Sequence, residues 1–540
     1  MVTTKRIRPI GMFDEVSIVS FDAPSDVAGA GPVLDDVRTV PVKISKSKFV
    51  AGMQCLKRLY WEVHEPELGT KPDASALARL EQGHEVGRLA RQLFPGGVEI
   101  KATREELGEA IRATRELVAN REVPAIFEAT FEHGGVLVRV DILQRRDRKR
   151  WRLLEVKSTA DLKDYHLYDV AIQSRVLSRC GVQLSSSALM HLNRDYVFRG
   201  GSYDPRHLFR IRNLNRLLAK LQRKLTKQLR DEFRILRESK PPEIDPGRQC
   251  QKPVRCEFFD CCHPMYPANH VTLLPRISPR ALDELKKLGV ESIADIPDDF
   301  PLDERQRRAH ASAKAGNLWC GAALNQQLQG LKYPLAFMDF ETVNPALPRF
   351  SGMKPFDHLP FQWSLHRQDT PTAPLEHFEF LADDDGDPRL NFVQSLLKAV
   401  QGAATIVVYY GTFESGRLSE LAQWFPRYRE QIAHAQKKIW DLLPIIRENL
   451  YHPEFRGSYS LKRVLPALVP AMSYERMQIS DGAMAGLAWV KMRGLKGGEE
   501  RERLRAELLQ YCSQDTLAMV HVLKVLRSCV NGTAEAAVAP

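Results

Sequence analysis

The chain has 540 residues, 44% of them hydrophobic and 27% charged, with a formal net charge of +11. That length exceeds one ordinary core and predicts several domains. No apolar run approaches the roughly 20 residues of a membrane span, and the start, MVTTKRIRPIGMFDEVS, has no apolar segment ending in a cleavage site, so the expectation is a cytoplasmic protein without membrane contact.

The basic excess favours an anionic partner, nucleic acid above all. Residues 1–44 hold scattered Gly, Pro and Asp and read as a loose leader. From Ser45 the pattern turns helical through KSKFVAGMQCLKRLYWEV, and again through ASALARLEQGHEVGRLARQLF, which stops at Pro95-Gly96-Gly97. AIFEATFEH, GVLVRVDILQRR and RWRLLEVKST alternate or run apolar between turn signals and predict three strands. A helix (LYDVAIQSRVLSRC) and a strand (SSALMHL) come next. Arg206–Lys240 then reads as one long amphipathic helix with 12 Lys/Arg against 3 Asp/Glu and Leu214, Leu217, Leu218, Leu221 and Leu225 at core-facing spacing. Its basic face is either a track for a nucleic-acid backbone or a solvated surface.

Nine cysteines, odd in number, argue against a disulfide framework in a cytoplasmic chain. Cys250, Cys256, Cys261 and Cys262 fall within thirteen positions, a clustering that points to metal. Cys180, Cys320, Cys512 and Cys529 read as lone buried thiols. Residues 269–330 read as a small helical module, in which LDELKKLGVESIADIP has the helix, Gly turn, helix form of a helix-hairpin-helix. PLAFMDFET then opens a second α/β domain over residues 331–528, and the Ala-rich residues 529–540 read as a disordered tail.

The second domain carries the sharper chemistry. Asp339 and Glu341, two apart on a strand, project from one face, and two converging carboxylates repel unless a cation lies between them. TIVVYYGTFESGRLSELA gives a strand, a turn and a helix bearing Glu414, and ELLQYCSQDTLAMVHVLKVL places Tyr511 and Asp515 at i and i+4 of one helix. In order and separation these pieces resemble the three exonuclease motifs of the DEDD superfamily, in the variant with a motif III tyrosine. The resemblance implies an RNase H-like fold in which Asp339, Glu341, Glu414 and Asp515 hold Mg²⁺ or Mn²⁺ and Tyr511 orients the attacking water. Glu414 stands where that family places Asp, and Tyr410 where it places Asn. Asp441 reads as a cap or a substrate contact, and Ser460-Leu461-Lys462 as residues positioning a helix.

In the first domain, at residues 45–268, Asp141 on one strand and Glu155-x-Lys157 on the next resemble the PD-(D/E)XK nuclease pattern. That resemblance implies a restriction-endonuclease-like fold with Asp141 and Glu155 on a metal ion and Lys157 stabilising phosphorane charge. Gln173 on the following helix matches RecB-like members, although Leu177 occupies their tyrosine position. GHEVG offers His84 or Glu85 as the upstream ligand, Glu85 being the choice. One early cysteine and three late ones resemble the iron–sulfur variant of these nucleases. This implies a [4Fe–4S] cluster on Cys55, Cys250, Cys256 and Cys262, with a structural Zn²⁺ site as the alternative.

The whole arrangement, an α/β chain with two nuclease domains joined by a helical module, resembles a bacterial family that fuses a RecB-like domain to a DEDD-type exonuclease domain. The implied activity is metal-dependent hydrolysis of nucleic-acid phosphodiesters, DNA in preference to RNA, in repair or defence and with or without a helicase partner. Two alternatives stay open: only the C-terminal site is active and the N-terminal domain is a clamp, or both sites are degenerate and the protein is a binding scaffold.

Overall fold

The computed structural model describes residues 42–101, 106–263 and 269–531; the leader up to residue 41 and the tail from residue 532 lie outside the described residues. From Val42 onward the chain is one compact unit of mixed α/β structure. No helix among the described residues is long and apolar enough to cross a membrane.

The first half runs β1 (Ile44–Ser45), α1 (Lys46–Gln54), α2 (Leu56–His64), α3 (Ala74–Arg91), β2 (Val98–Glu99), α4 (Leu107–Ala119), β3 (Ala125–His133), β4 (Val136–Arg145), β5 (Arg150–Lys157), α5 (Asp164–Arg179), β6 (Gln183–Leu192), α6 (Pro205–Leu208), β7 (Phe209–Asn213), α7 (Asn215–Ile235) and the single turn α8 (Phe259–Cys262). Its sheet has the order β2-β3-β4-β5-β6-β7, with β1 beside β4. Strands β3 and β4 meet at Gly134-Gly135, both at positive φ, which matches the two-residue turns that suit a hairpin's twist. Helix α5 carries the chain back across the sheet, so β6 lies parallel to β5. Cys55, in extended backbone, breaks the first predicted helix into α1 and α2.

The long basic helix forms only in part. Phe209-Arg-Ile-Arg-Asn pairs with β6 as an antiparallel edge strand, and helix starts at Asn215. The side chain of Asn215 accepts from the Ser187 N–H and Leu214 donates to Ser187 O, which pins the helix start to β6. From there the expected stripe holds, with Leu214, Leu218 and Leu225 buried.

The second half runs α9 (Pro279–Lys287), α10 (Glu304–Ala315), β8 (Trp319–Cys320), α11 (Leu324–Leu328), β9 (Leu335–Val343), β10 (Leu359–Gln368), β11 (Glu376–Leu381), α12 (Arg389–Ala399), β12 (Thr405–Val408), α13 (Gly411–Trp424), α14 (Arg429–Gln436), β13 (Ile439–Asp441), α15 (Leu442–Asn449), β14 (Leu450–Tyr451), α16 (Leu461–Leu468), α17 (Gly482–Gly494) and α18 (Glu499–Val530). Its main sheet is β11-β10-β9-β12-β13, antiparallel through β9 and parallel beyond it. The helix-hairpin-helix expectation fails: after the Gly289 turn comes only a single 3₁₀ turn, Ile293–Asp295, and Asp303 caps the next true helix. The module's Leu285, Ile293 and Ala309 belong to the same apolar cluster as Leu335 and Leu526, so it shares the core of the second half.

Three cysteine expectations are corrected. Cys320 and Cys529 form a disulfide where β8 meets the last turn of α18, 209 residues apart in sequence, and Cys180 is exposed at the end of α5. Cys512 is buried, as expected. Cys529 and Val530 are helical and do not belong to a loose tail.

One buried carboxyl marks the joint between α1 and α7. Glu232 is fully buried, with Oε1 accepting from Gln228 (2.9 Å) and Oε2 without a partner. Gly52 makes room for it, since a Cβ there would lie 2.4 Å from Oε1. Burial raises this acid from 4.5 to about 8. The folded chain thus keeps a proton that the unfolded chain releases, and the residue costs stability as pH rises from about 4.5 to about 8, by at most ~1.4 kcal/mol per unit. Glu232→Gln is therefore expected to raise the melting temperature at pH 8 and to lose that gain towards pH 4.5. Thermal unfolding at both pH values checks this, and a pH-independent gain would contradict it.

Candidate functional site

Strand β9 is apolar except at Asp339, Glu341 and Thr342, and it lies at the centre of its sheet. Helix α18 crosses beside it in a fixed register. The Gln362 amide donates to Leu508 O (2.7 Å), and Thr516 Oγ1 is bonded to Ser364 Oγ and His366 Nδ1 (2.8 Å each). That register turns Tyr511 and Asp515 towards β9. Asp339, Glu341 and Asp515 each bring an oxygen within 4.8 Å of the others, and among the described residues no other group of His, Cys, Asp or Glu converges this way.

The surroundings are nearly dry, with Glu341 and Asp515 each 7% exposed and Glu414 2%. Burial, reinforced by Asp515, holds Asp339 well above the usual carboxylate range, and burial with Asp339 does the same to Glu341. Asp515 rises less, to about 6, because burial is opposed by the Tyr474 hydroxyl, which donates to Oδ1 at 2.5 Å. Glu414, in the first turn of α13, is pushed to about 9 by burial and by Asp339. Its Oε2 is buried without a hydrogen-bond partner, and it stands outside the 4.8 Å triad. Gly482 backs the site: a Cβ there would sit 3.1 Å from Glu341 Oε2.

Sequence reading missed Tyr474 and gave Lys462 only a helix-positioning part. The Lys462 Nζ donates to Ser480 O and lies 5.1 Å from the Tyr511 ring, and its charge lowers the pKa of all three carboxylates. Asp441 is a cap, accepting from Leu443 N, and it also accepts from the N–H groups of Tyr410 and Gly411 (3.0 and 2.8 Å). Those bonds hold Tyr410 at φ 90°, a conformation costly for a non-glycine residue.

Oxygen ligands about 2.1 Å from Mg²⁺ lie at most ~4.2 Å apart. Three hard carboxylate oxygens within 4.8 Å fit such an ion with little movement, and the unpartnered Glu414 oxygen is a further donor close by.

The first half brings Asp141, Glu155, Lys157 and Gln173 together as expected, and adds Lys46 and Asp169. Glu155 is 1% exposed; its oxygens receive Lys46 (2.8 and 3.0 Å), Lys157 (2.7 Å) and Gln173 (2.7 Å). Burial opposes its ionisation, yet the two lysines hold it well below the usual range. Asp169 takes a second ion pair from Lys157 at 2.5 Å. Asp141 accepts from Val156 N (2.7 Å), and burial and Glu155 raise it to about 7. With Glu155 saturated by cationic and amide donors, this donor set does not fit a metal ion as arranged. Asp169 was legible in principle, because it lies four residues before Gln173 on one helix face. Glu85 does not join the site: it is exposed on α3, its charge acting on Tyr203, whereas His84 lines the cleft that contains Asp141.

Cys55, Cys250, Cys256 and Cys262 line one small pocket, and Cys261 points away with its thiol on Leu68 O. Burial pushes Cys256 up to about 11. Thiolates on one zinc ion, at ~2.3 Å each, lie about 3.8 Å apart. The sulfurs do not converge that closely, so a zinc site does not fit as placed.

Residues 336–460, which include Asp339, Glu341 and Glu414 but neither Tyr511 nor Asp515, match a family model described as "Domain of unknown function (DUF2779)". The chain is 24% identical over 246 residues to "Uncharacterized protein MG366 homolog" of Mycoplasma pneumoniae, covering 41% of this chain and 37% of that one. It is 23% identical over 222 residues to "Uncharacterized protein UU173" of Ureaplasma parvum, covering 37% and 32%. The chain thus spans about a third of the length of the curated relatives it matches.

Neutralising one of three mutually repelling carboxylates relieves the fold. Asp339→Asn is expected to raise the melting temperature in chelator and to abolish the gain the wild type shows in Mn²⁺, about 2.7 kcal/mol at a hundredfold excess over Kd. Differential scanning calorimetry with and without Mn²⁺ reads both effects, and an Mn²⁺ gain surviving in the variant would rule out this triad as the cation site.

Proposed function

We propose that the protein is a metal-dependent nuclease whose reaction centre is the Asp339–Glu341–Asp515 site. The observation that carries this reading is the convergence of three under-compensated carboxylates, Glu341 and Asp515 buried and Asp339 half-buried, on a sheet flanked by a helix that also presents Tyr511. Sheet order, motif order and the Tyr511–Asp515 helix support an RNase H-like fold and a 3′–5′ exonuclease of the DEDD type. The first half's β3–β7 sheet, with Asp141, Glu155 and Lys157 at one place, supports a PD-(D/E)XK-like fold.

Asp339, Glu341 and Asp515 would hold Mg²⁺ or Mn²⁺, with Glu414 closing the set. When bound, such ions supply Lewis-acid activation of water and phosphate. The chain's own residues do the rest. Tyr511 orients the attacking water through its hydroxyl. Tyr474 holds the Asp515 carboxylate in place through its hydrogen bond to Oδ1. Lys462 tempers the negative field that would otherwise repel a phosphodiester.

A second reading concerns the first half: there Lys46 occupies Glu155, which favours a binding clamp over a second cutting site. The cysteine pocket is proposed to take a [4Fe–4S] cluster. The support is four thiols outside any disulfide, drawn from both ends of the first half. DNA is the proposed substrate in preference to RNA.

Purified protein is expected to degrade labelled single-stranded DNA in Mn²⁺. Asp339→Ala should lose at least about 10³-fold, as several kcal/mol of transition-state stabilisation disappears. Glu155→Ala tests the clamp: full hydrolysis at saturating DNA with weaker binding supports it, whereas a loss matching Asp339→Ala points to a second cutting site. Activity unchanged in both variants would sink the nuclease reading. Anaerobically purified protein should absorb near 400 nm, and Cys256→Ala should bleach it; iron-free protein without that band removes the cluster.

A further inference from the structure

A cavity at the joint between the halves is lined by the residues that follow Lys157 and Glu341 in sequence. The loop that leaves β9 just after Glu341 turns into the first half, where Ala346 and Leu347 are buried in a cluster with Leu192 and Phe198. Backbone bonds link Phe198 and Gly352 to Met353 and Phe198, and the Tyr203 hydroxyl donates to Pro348 O. Helix α3 packs against α17 across this joint. Between them runs a cavity of about 380 Å³.

Ser158, the residue after Lys157, lines the cavity. So do Thr342, the residue after Glu341, and Gly482, which lies against the Glu341 carboxylate. None of the lining residues is Asp or Glu, whereas Arg79 and Arg349 both line it, both exposed and neither in an ion pair among the described residues. Phe356 and Val490 add apolar surface.

The face of α3 that lines this groove, at Ser75, Arg79 and Gln82, continues at Gly83 and Gly87 into the cleft that contains Asp141. A Cβ at either glycine would meet nothing within 4 Å. No packing demands them, and glycine in a helix interior costs ~1 kcal/mol relative to alanine. What they provide is an open wall facing the cleft.

We propose that this groove is a passage for one strand of nucleic acid, so that a strand held at Glu155 and Lys157 leads into Asp339 and Glu341. The proposal rests on the nuclease reading above. Arg79 and Arg349 in the acid-free cavity would neutralise phosphates, while the apolar and aromatic surface there would receive unpaired bases.

The test uses the full chain in metal-free buffer, so that binding is read apart from hydrolysis. Ala78→p-benzoylphenylalanine and Ala483→p-benzoylphenylalanine, on opposite walls, are irradiated with a labelled single-stranded 20-mer. Leu288→p-benzoylphenylalanine, exposed on the helical module, is the control. Crosslinks at the two groove positions and not at the control are expected. Arg79→Glu with Arg349→Glu should weaken binding by about tenfold and lower the slope of log K against log salt by about 1.4, at ~0.7 per phosphate contact.

A strand that binds and is degraded without crosslinking at either wall, and with unchanged affinity in the double variant, overturns the passage and leaves the nuclease reading standing. Crosslinking without hydrolysis in Mn²⁺ supports the passage and removes the nuclease. A chain that neither binds nor cuts single strands overturns both.

Discussion

Like charges buried side by side repel with little water to screen them, and the second half of this chain is arranged around three that cannot separate. Asp339 and Glu341 are fixed by their places on a central strand, and Asp515 is fixed by the register of α18. Relaxation by moving apart is closed to them, so compensation has to come from elsewhere. Tyr474 gives one hydroxyl to Asp515, and Lys462 gives one positive charge to all three. A single lysine against three carboxylates leaves a deficit, and the orphaned oxygen of Glu414 deepens it. A divalent cation would remove the deficit with the ligand chemistry already present.

The first half buries acidic groups too and settles the account internally. Glu155 carries two lysines and an amide, and Asp169 shares one of those lysines. Three carboxylates against two lysines leave a smaller surplus, and Asp141, at about 7, takes up the remainder by holding a proton near neutrality. The contrast gives the two sites different dispositions. One is short of positive charge, and the other already holds it, in the form of two amines.

What the sequence disclosed follows from the range over which its signals act. Asp339 and Glu341 on one strand, or Tyr511 and Asp515 on one helix turn, are brought together by local periodicity, and both pairs stand where that periodicity puts them. Lys46, Lys462 and Tyr474 carry no such signal: each reaches its site only through tertiary packing, from an element that reads as ordinary helix or loop. The Cys320–Cys529 disulfide fails to show for the same reason, its partners being far apart in the chain. The basic segment at residues 206–240 shows a different limit. Its composition suits a helix throughout, yet Phe209-Arg-Ile-Arg-Asn also alternates as a strand, and the free edge of β6 decides the matter.

The segment after Glu341 turns two neighbouring folds into one body. Ala346 and Leu347 are inserted into the core of the first half, so the strand that bears Asp339 and Glu341 is anchored at its end by a hydrophobic cluster it does not own. Burial of two such side chains in a foreign core is worth a few kcal/mol, about 25 cal/mol per Å² of apolar surface removed from water. Motion between the halves would have to extract them. The distance from Lys157 to Glu341 is therefore set by packing, and the two sites stand at a fixed spacing. A flexible linker would bring the same two sites only to an average separation. Ordered insertion makes their geometry a property of the fold, and for that reason the groove between them is a feature of the molecule and not an accident of two domains at rest.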